Sequence, residues 1–187
     1  MQYKKRDTSY ETRDTNQKLS PTNHNSIILG IDPGYGRIGI AVLEKNKGKE
    51  TLLHSECLET SKTTDQSERL LLLKEKIRSI IKEYSPSVLA IESLLWSKNK
   101  KTAFKVSEAR GVIIVEAKEA GLEVREFNPN QVKVAVTGYG KSDKKQVQAM
   151  VERIIKIKPT KDGKKRIDDE YDAIAIALTC SATTIHT

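Results

Sequence analysis

The sequence predicts an α/β domain built on one mixed five-stranded sheet flanked by helices. Three observations lead there. Two aliphatic runs, "IILGID" and "RIGIAVLE", are separated by the turn Pro33-Gly34-Tyr35-Gly36 and followed by a third strand-like run, "TLLHSECLE", which is the pattern of an antiparallel meander. Farther along, amphipathic helices alternate with short apolar runs, the pattern of crossover units whose strands run parallel. The chain has 187 residues, enough for one domain with a substantial core.

The elements follow in order. Residues 1–26 are Lys, Arg, Asp, Thr, Ser and Asn with almost no aliphatics, and they read as a disordered polar, basic arm. The folded domain is expected over 27–187. After the meander, "SERLLLLKEKIRSIIKEY" repeats Leu and Ile at helical spacing and stops near Ser85-Pro86. "SVLAIE" is a short apolar strand closed by Glu92, and the basic loop "SLLWSKNKK" follows it. "TAFKVSEARGVIIVEAKEAG" is a long helix ending on Gly121, and "LEVREF" is the fifth strand. Asn128-Pro129 opens a short helix through Val136. "SDKKQVQAMVERIIKI" is a helix that Ser142 is expected to cap, "KPTKDGKKR" is a loop, and a last helix runs from Asp168 to about Ala182.

Composition narrows the function. There are 33 Lys+Arg against 25 Asp+Glu, a net charge of +8, which favours a polyanionic partner such as nucleic acid or an acidic membrane surface. Cys57 and Cys180 are isolated, so neither a disulfide framework nor a zinc site is expected, and two buried thiols in a reducing cytoplasm are. No apolar run approaches a membrane span, and the N-terminal stretch has no apolar signal core, so a cytoplasmic location without membrane attachment is expected.

Four carboxylates stand out. Asp32 ends the first strand and Glu92 the fourth, and if these strands are neighbours both acids emerge at one edge of the sheet. In "DDEYDAIAIAL", Asp169 and Asp172 are three apart and share a helix face. The Ala- and Ile-rich turns after them make a slim helix that can lie close to the sheet and aim both acids at the same edge. Singly, each acid has an ordinary structural role: a turn residue, a solvated strand end, or a helix N-terminal charge, the role given to Asp168 and Glu170. Jointly they make a cluster of like charges, and hard divalent cations relieve such a cluster through oxygen-only ligation. Two ions about 4 Å apart would support phosphodiester hydrolysis.

The segments "LGIDPGYGRIGIAVLE", "LAIESLLWSKNKKTAFKVSEARGVI", "NPNQVKVAVTGYGKSDKKQVQAMV" and "DDEYDAIAIAL" resemble the RuvC family of crossover junction endodeoxyribonucleases, the bacterial Holliday junction resolvases. The likeness covers nearly everything from Ile27 to about Ala182. It implies an RNase H-like nuclease fold, a homodimer, and symmetric Mg2+-dependent nicking of four-way junction DNA in recombination and repair, with 5'-phosphate and 3'-hydroxyl ends. Two Mg2+ ions per site, replaceable by Mn2+, and Asp32, Glu92, Asp169 and Asp172 as catalytic ligands are implied with it. A complex with a branch-migration helicase is expected alongside. The arm has no counterpart in the typical member, and the segment Leu94-Leu95-Trp96 replaces the Phe that the family often carries after the strand-four Glu.

Basic residues flank both halves of the acid cluster. Lys98, Lys100, Lys101 and Lys105 follow Glu92, and a second group includes Lys141, Lys144 and Lys145 within a Lys-rich stretch over 141–166. Phosphate contacts from such groups position DNA without reading sequence. Leu95 or Trp96 is expected to wedge apolar bulk into the junction centre, while Leu94 is expected to pack under the next helix. Three other functions compete: an actin-like sugar kinase or chaperone ATPase, for which the chain is too short; an RNase H-like nuclease acting on ribosomal RNA precursors; and a non-catalytic junction-binding protein, which would gain nothing from four anions facing phosphate.

Overall fold

The structure is a computed structural model describing residues 26–61, 63–94, 100–155, 157 and 166–183, with the backbone alone for Lys100 and Lys101. The elements run β1 (Ser26–Pro33), β2 (Arg37–Asn46), β3 (Lys49–Glu59), α1 (Gln66–Tyr84), β4 (Val88–Glu92), α2 (Lys100–Glu119), β5 (Glu123–Phe127), α3 (Pro129–Thr137), α4 (Lys144–Ile154) and α5 (Asp168–Thr183). The five strands form one sheet in the order β3-β2-β1-β4-β5. β1, β2 and β3 pair antiparallel, and β4 and β5 continue parallel to β1. The expected meander with two crossovers is the observed one. β1 begins at Ser26, paired with Lys45, one residue inside the stretch assigned to the arm. The rest of the arm lies outside the described residues.

Period-two alternation sorts the strands into two cores. Leu29, Ile31, Ile40, Val42, Leu89 and Ile91 face α1 and α2, where Leu73, Ile77, Ala109 and Ile113 meet them. Ile28, Ala41, Leu43, Val88 and Ala90 face α3, α4 and α5. Buried on both faces, β1 and β4 therefore read as continuous apolar runs. The same alternation places Gly30, Asp32, Gly39 and Glu92 on the α5 side.

α5 lies unusually close to that side. A Cβ on Gly30 would stand 2.5 Å from the Ala173 carbonyl oxygen and 2.8 Å from the Ala177 methyl, and one on Gly39 would run into the Asp169 carbonyl. The slim helix expected from Ala173, Ala175 and Ala177 thus meets a sheet from which two side chains have been removed.

The helix ends follow local chemistry, with one correction. Asp65 accepts from Ser67 N–H and starts α1, which ends at Ser85 in a left-handed conformation before Pro86. Asn128 and Gln131 cap α3 reciprocally. The cap of α4 is Asp143, not Ser142. Asp143 accepts from Gln146 N–H and Gln146 accepts from Asp143 N–H, both at 2.9 Å. Only Asp143 has a glutamine three residues on to complete this box. The Ser142 hydroxyl instead bonds Thr137 and the Tyr139 carbonyl. α4 also stops at Ile154, because Ile155 turns to extended backbone and buries its side chain in the core. Cys180 is buried and Cys57 half-buried, neither in a disulfide, and burial, then Asp169, pushes the Cys57 thiol up to about 11. Among the described residues no helix is long and apolar enough to cross a membrane.

Gly30→Ala should destabilise the fold by about 1–3 kcal/mol through overpacking against the α5 backbone. A lower urea midpoint with an unchanged slope is the expected reading, and an unchanged midpoint would mean that α5 lifts from the sheet at no cost.

Candidate active site

Asp32 and Glu92 end adjacent parallel strands whose register pairs Ile31 with Ile91. Both acids leave the sheet at the same edge and on the same face. The contact of α5 with Gly30 and Gly39 brings its first turns over that edge, so Asp172 enters one cleft with Asp32 and Glu92. The cleft has a volume of about 350 Å³, and its walls include Lys133 from α3, Lys144 from α4 and the apolar Val132, Val147 and Ile176. Asp169 sits beside it, over the start of β2, where Arg37 lies 3.3 Å away.

The electrostatics are those of anions held short of water. Burial, then Glu92, Asp172 and Asp169, raises the Asp32 carboxyl to about 7, while Lys144 pulls the other way. Burial and Asp172 raise Glu92, again opposed by Lys144. Lys144 donates to Asp172 at 2.9 Å and is itself raised, chiefly by that bond. Arg37 is ion-paired with Asp169 without hydrogen-bond geometry, so the buried Asp169 Oδ2 has no hydrogen-bond partner. Arg110 holds the end of β4, donating from Nε to the Glu92 carbonyl at 3.0 Å and pairing with Glu126.

These donors fit a hard divalent cation in chemistry: oxygen-only, anionic in excess, and with an orphaned carboxylate oxygen among them. Among the described residues, however, no three acidic side chains converge into a finished ligand group. Lys144 and Arg37 stand as the counter-cations instead.

Of the four acids singled out in the sequence, the structure places Asp32, Glu92 and Asp172 along one cleft and Asp169 beside it. It separates the lysines that sequence grouped. Lys144 lines the acid cleft, whereas Lys141 and Lys145, also exposed, are not among its walls. Lys105 lies near Tyr35, its Nζ 3.3 Å from the hydroxyl. Leu95, Trp96 and Lys98 lie outside the described residues, as do the side chains of Lys100 and Lys101. Leu94 is 40% exposed rather than packed under α2, since it leaves the sheet edge before α2 begins. Glu170 does more than favour a helix N-terminus: it is buried, accepts from Ser55 at 2.7 Å and ties α5 to β3. Sequence reasoning missed Lys133, Arg37 and Arg110. The signal for Arg110 was present, a lone arginine inside an apolar helix stripe. For Lys133 and Arg37 nothing local marked them.

A family model for the crossover junction endodeoxyribonuclease RuvC matches residues 28–180. The RuvC protein of Thermosipho melanesiensis is 46% identical over 150 residues, covering 80% of this chain and 93% of that protein. That of Petrotoga mobilis is 42% identical over 152 residues, covering 81% and 91%. Among solved structures, Thermus thermophilus RuvC in complex with a Holliday junction substrate superposes with a TM-score of 0.76 at 33% identity, covering 84% of this chain and 93% of that one.

The Asp32 shift makes stability depend on pH. In metal-free buffer the folded protein keeps this proton up to about 7, whereas the unfolded chain loses it near 3.8. Unfolding therefore releases a proton between those values, and stability falls as pH rises from about 4 to about 7. Asp32→Asn removes the effect. Its advantage over the natural protein in chemical denaturation with EDTA should grow across that window, up to on the order of 4 kcal/mol. A constant difference from acid to neutral pH would contradict the assignment.

Proposed function

The chain belongs to the RuvC family of crossover junction endodeoxyribonucleases, and from that premise we propose that it resolves four-way DNA junctions by hydrolysing one phosphodiester in each of two symmetric strands. The observation that carries this is the cleft itself: Asp32, Glu92 and Asp172 with Lys133 and Lys144 at one open sheet edge, on a chain of net charge +8. Anions alone would repel a phosphate, and cations alone would bind it without cutting. Their mixture at one edge suits a phosphate that is held and attacked.

Asp32, Glu92, Asp169 and Asp172 would hold Mg2+, with Mn2+ able to serve in its place. Bound there, the metal supplies Lewis acidity and an activated water, and the expected ends are 5'-phosphate and 3'-hydroxyl. The other residues prepare the edge. Lys133 and Lys144 offer ammonium groups at the cleft wall, where they neutralise a phosphate. Arg110 fixes the backbone that carries Glu92. The carbonyl contact at Gly39 fixes the turn that carries Asp169. Arg37, exposed on its outer side, is placed to exchange Asp169 for a phosphate oxygen. Lys141 and Lys145, exposed on the surface, would extend the positive charge offered to the strand, and Lys98, Lys100 and Lys101, whose side chains lie outside the described residues, belong to the same proposal as further phosphate contacts.

A homodimer belongs to the same reading, because a fourfold-branched substrate cut twice calls for two related sites. The stretch 104–117 divides: Ala109, Ile113 and Ala117 are core, whereas Val115 is exposed and Gly111 has open space above it. The Gly111–Val115 stripe is the surface offered for the partner. Action in the cytoplasm beside a branch-migration helicase completes the proposal.

Nicking of a four-way junction with Mg2+, compared with linear duplex and structured RNA, tests the reading against the RNA-processing and binding-only alternatives. Asp32→Asn should lose at least about a hundredfold in cleavage, the weight of an essential charged group, and keep junction affinity in a gel-shift assay. Full cleavage by that variant would end the metal-site reading.

The dimer is tested separately. The natural protein should sediment as a dimer at micromolar concentration, and Val115→Glu should sediment as a folded monomer that no longer makes paired cuts. A monomeric natural protein, alone and with junction DNA, would refute the symmetric arrangement.

A further inference from the structure

On the other face of the sheet, three residues after Asp32, the β1–β2 turn carries Tyr35 into a second cleft of about 640 Å³. Its walls are Tyr35, Gln66, Thr102, Phe104, Lys105 and Glu108. Resting on the function proposed above, we propose that this cleft takes one unpaired nucleotide of the junction strand that passes the acid edge, stacking its base on Phe104 and holding its phosphate at Lys105 and the Tyr35 hydroxyl.

Three observations support it. First, the cleft is built and charged. Arg69 is 7% exposed and lies with its guanidinium 4.6 Å from the Tyr35 ring centroid. It donates to the Thr60 hydroxyl at 2.9 Å and to the Gln66 amide oxygen at 3.3 Å. Arg69 backs Tyr35 rather than lining the cleft itself, and among the described residues no carboxylate pairs with it, which leaves a positive charge behind that wall. Lys105 closes the other side of Tyr35, 5.0 Å from its ring centroid and 3.3 Å from its hydroxyl. Hydrogen bonds from Arg69, then Lys105, hold the Tyr35 hydroxyl below the usual tyrosine range, which makes it a better donor to a phosphate oxygen.

Second, the cleft has an aromatic surface with no ring or cation partner among the described residues. Phe104 is 73% exposed at the first turns of α2, and base–aromatic stacking makes use of such a ring whatever the base. Third, the cleft also carries a fixed carboxylate, Glu108, one helical turn beyond Phe104 and Lys105. Gln66 is locked between Arg69 and Glu108, donating to Glu108 Oε2 at 3.0 Å. The remaining Glu108 acceptor sites face an occupant whose edge donates, the exocyclic amine of cytosine or adenine. A cleft that combines an ammonium group, an exposed aromatic ring and a carboxylate matches a nucleotide. It does not match a plain anion, which Glu108 would repel, or an apolar side chain, which would strand Lys105.

The full chain in EDTA, where no strand is cut, provides the test. A single abasic site is moved nucleotide by nucleotide through the crossover and its flanks of a four-way junction, and affinity is measured at each position. The natural protein should lose about tenfold at one position, the weight of a stacked base. In Phe104→Ala that position's penalty should disappear while the others remain. Glu108→Gln should reduce the preference for cytosine over thymine at the same position. Both residues are exposed, so the variants fold. An identical penalty profile in the natural protein and Phe104→Ala overturns the proposal. So does a Phe104→Ala protein that sediments as a monomer with an unchanged profile, which would assign the ring to the contact between protomers. If the natural protein binds the four-way junction no more tightly than duplex, the functional reading falls first and takes this proposal with it.

Discussion

The contact on which the structure depends is the seating of α5 against β1 and β2. At Gly30 and Gly39 the helix backbone rests where side chains would ordinarily stand. Small residues on both surfaces give up apolar area there, and the loss is made good because α5 is buried almost along its whole length, from Tyr171 to Ser181. What the closeness provides is position. A helix standing off the sheet by the depth of one more side chain would carry Asp169 and Asp172 away from Asp32 and Glu92, and the edge would hold two separate acid pairs. Glu170, bonded to Ser55 on β3, keeps the first turn from swinging.

That seating creates an electrostatic conflict which the rest of the molecule manages. Carboxylates on three elements are partly desolvated within one edge, and the fold shows the conflict directly in a carboxyl held to about 7 at Asp32. Local rules broken in this way cluster at functional sites. Lys144 and Arg37 relieve the conflict without abolishing it. One pairs with Asp172, the other with Asp169, and both remain largely exposed on their outer sides. Each can leave its carboxylate at the modest cost of a solvated ion pair. The site is thereby stable enough to fold and still short of positive charge.

Much of this was legible in the sequence because it rests on short-range rules. Alternation told which strands were buried on two faces, strand ends told where Asp32 and Glu92 emerge, and an Ala-rich helix told that Asp169 and Asp172 could approach. What stayed hidden depends on pairings between distant elements. Lys144 is one of three similar lysines in sequence and becomes distinct only because α4 leans toward Asp172. Lys133 and Arg37 acquire meaning from α3 and β2 meeting the same edge. Ser142 and Asp143 are both good caps, and the choice turned on Gln146. Glu170 looked like one more acid at a helix start until β3 supplied Ser55.

The β1–β2 turn joins the two halves of the molecule's chemistry. Asp32 points to the α5 face, and Tyr35, three residues on, reaches the α1 and α2 face, so a single turn touches both clefts. It can do so because Gly36 takes a positive φ of 88°, which lets the chain reverse within one residue. Gly34 does its part by leaving room for the Arg37 carbonyl oxygen, which a side chain would run into. The neighbours of this turn are rigid: β1 is central in the sheet, and Thr60 N–H bonds the Gly36 carbonyl at 2.8 Å. A nucleic-acid strand lying across the edge would therefore meet acids and lysines on one face and an aromatic, cationic cleft on the other, at a spacing set by the sheet. A straight duplex offers no unpaired nucleotide to the second cleft, whereas a branch point does. Preference for branched over linear DNA can thus arise from the thickness of one β-sheet, with the chemistry on one side and the sensing of an opened base on the other.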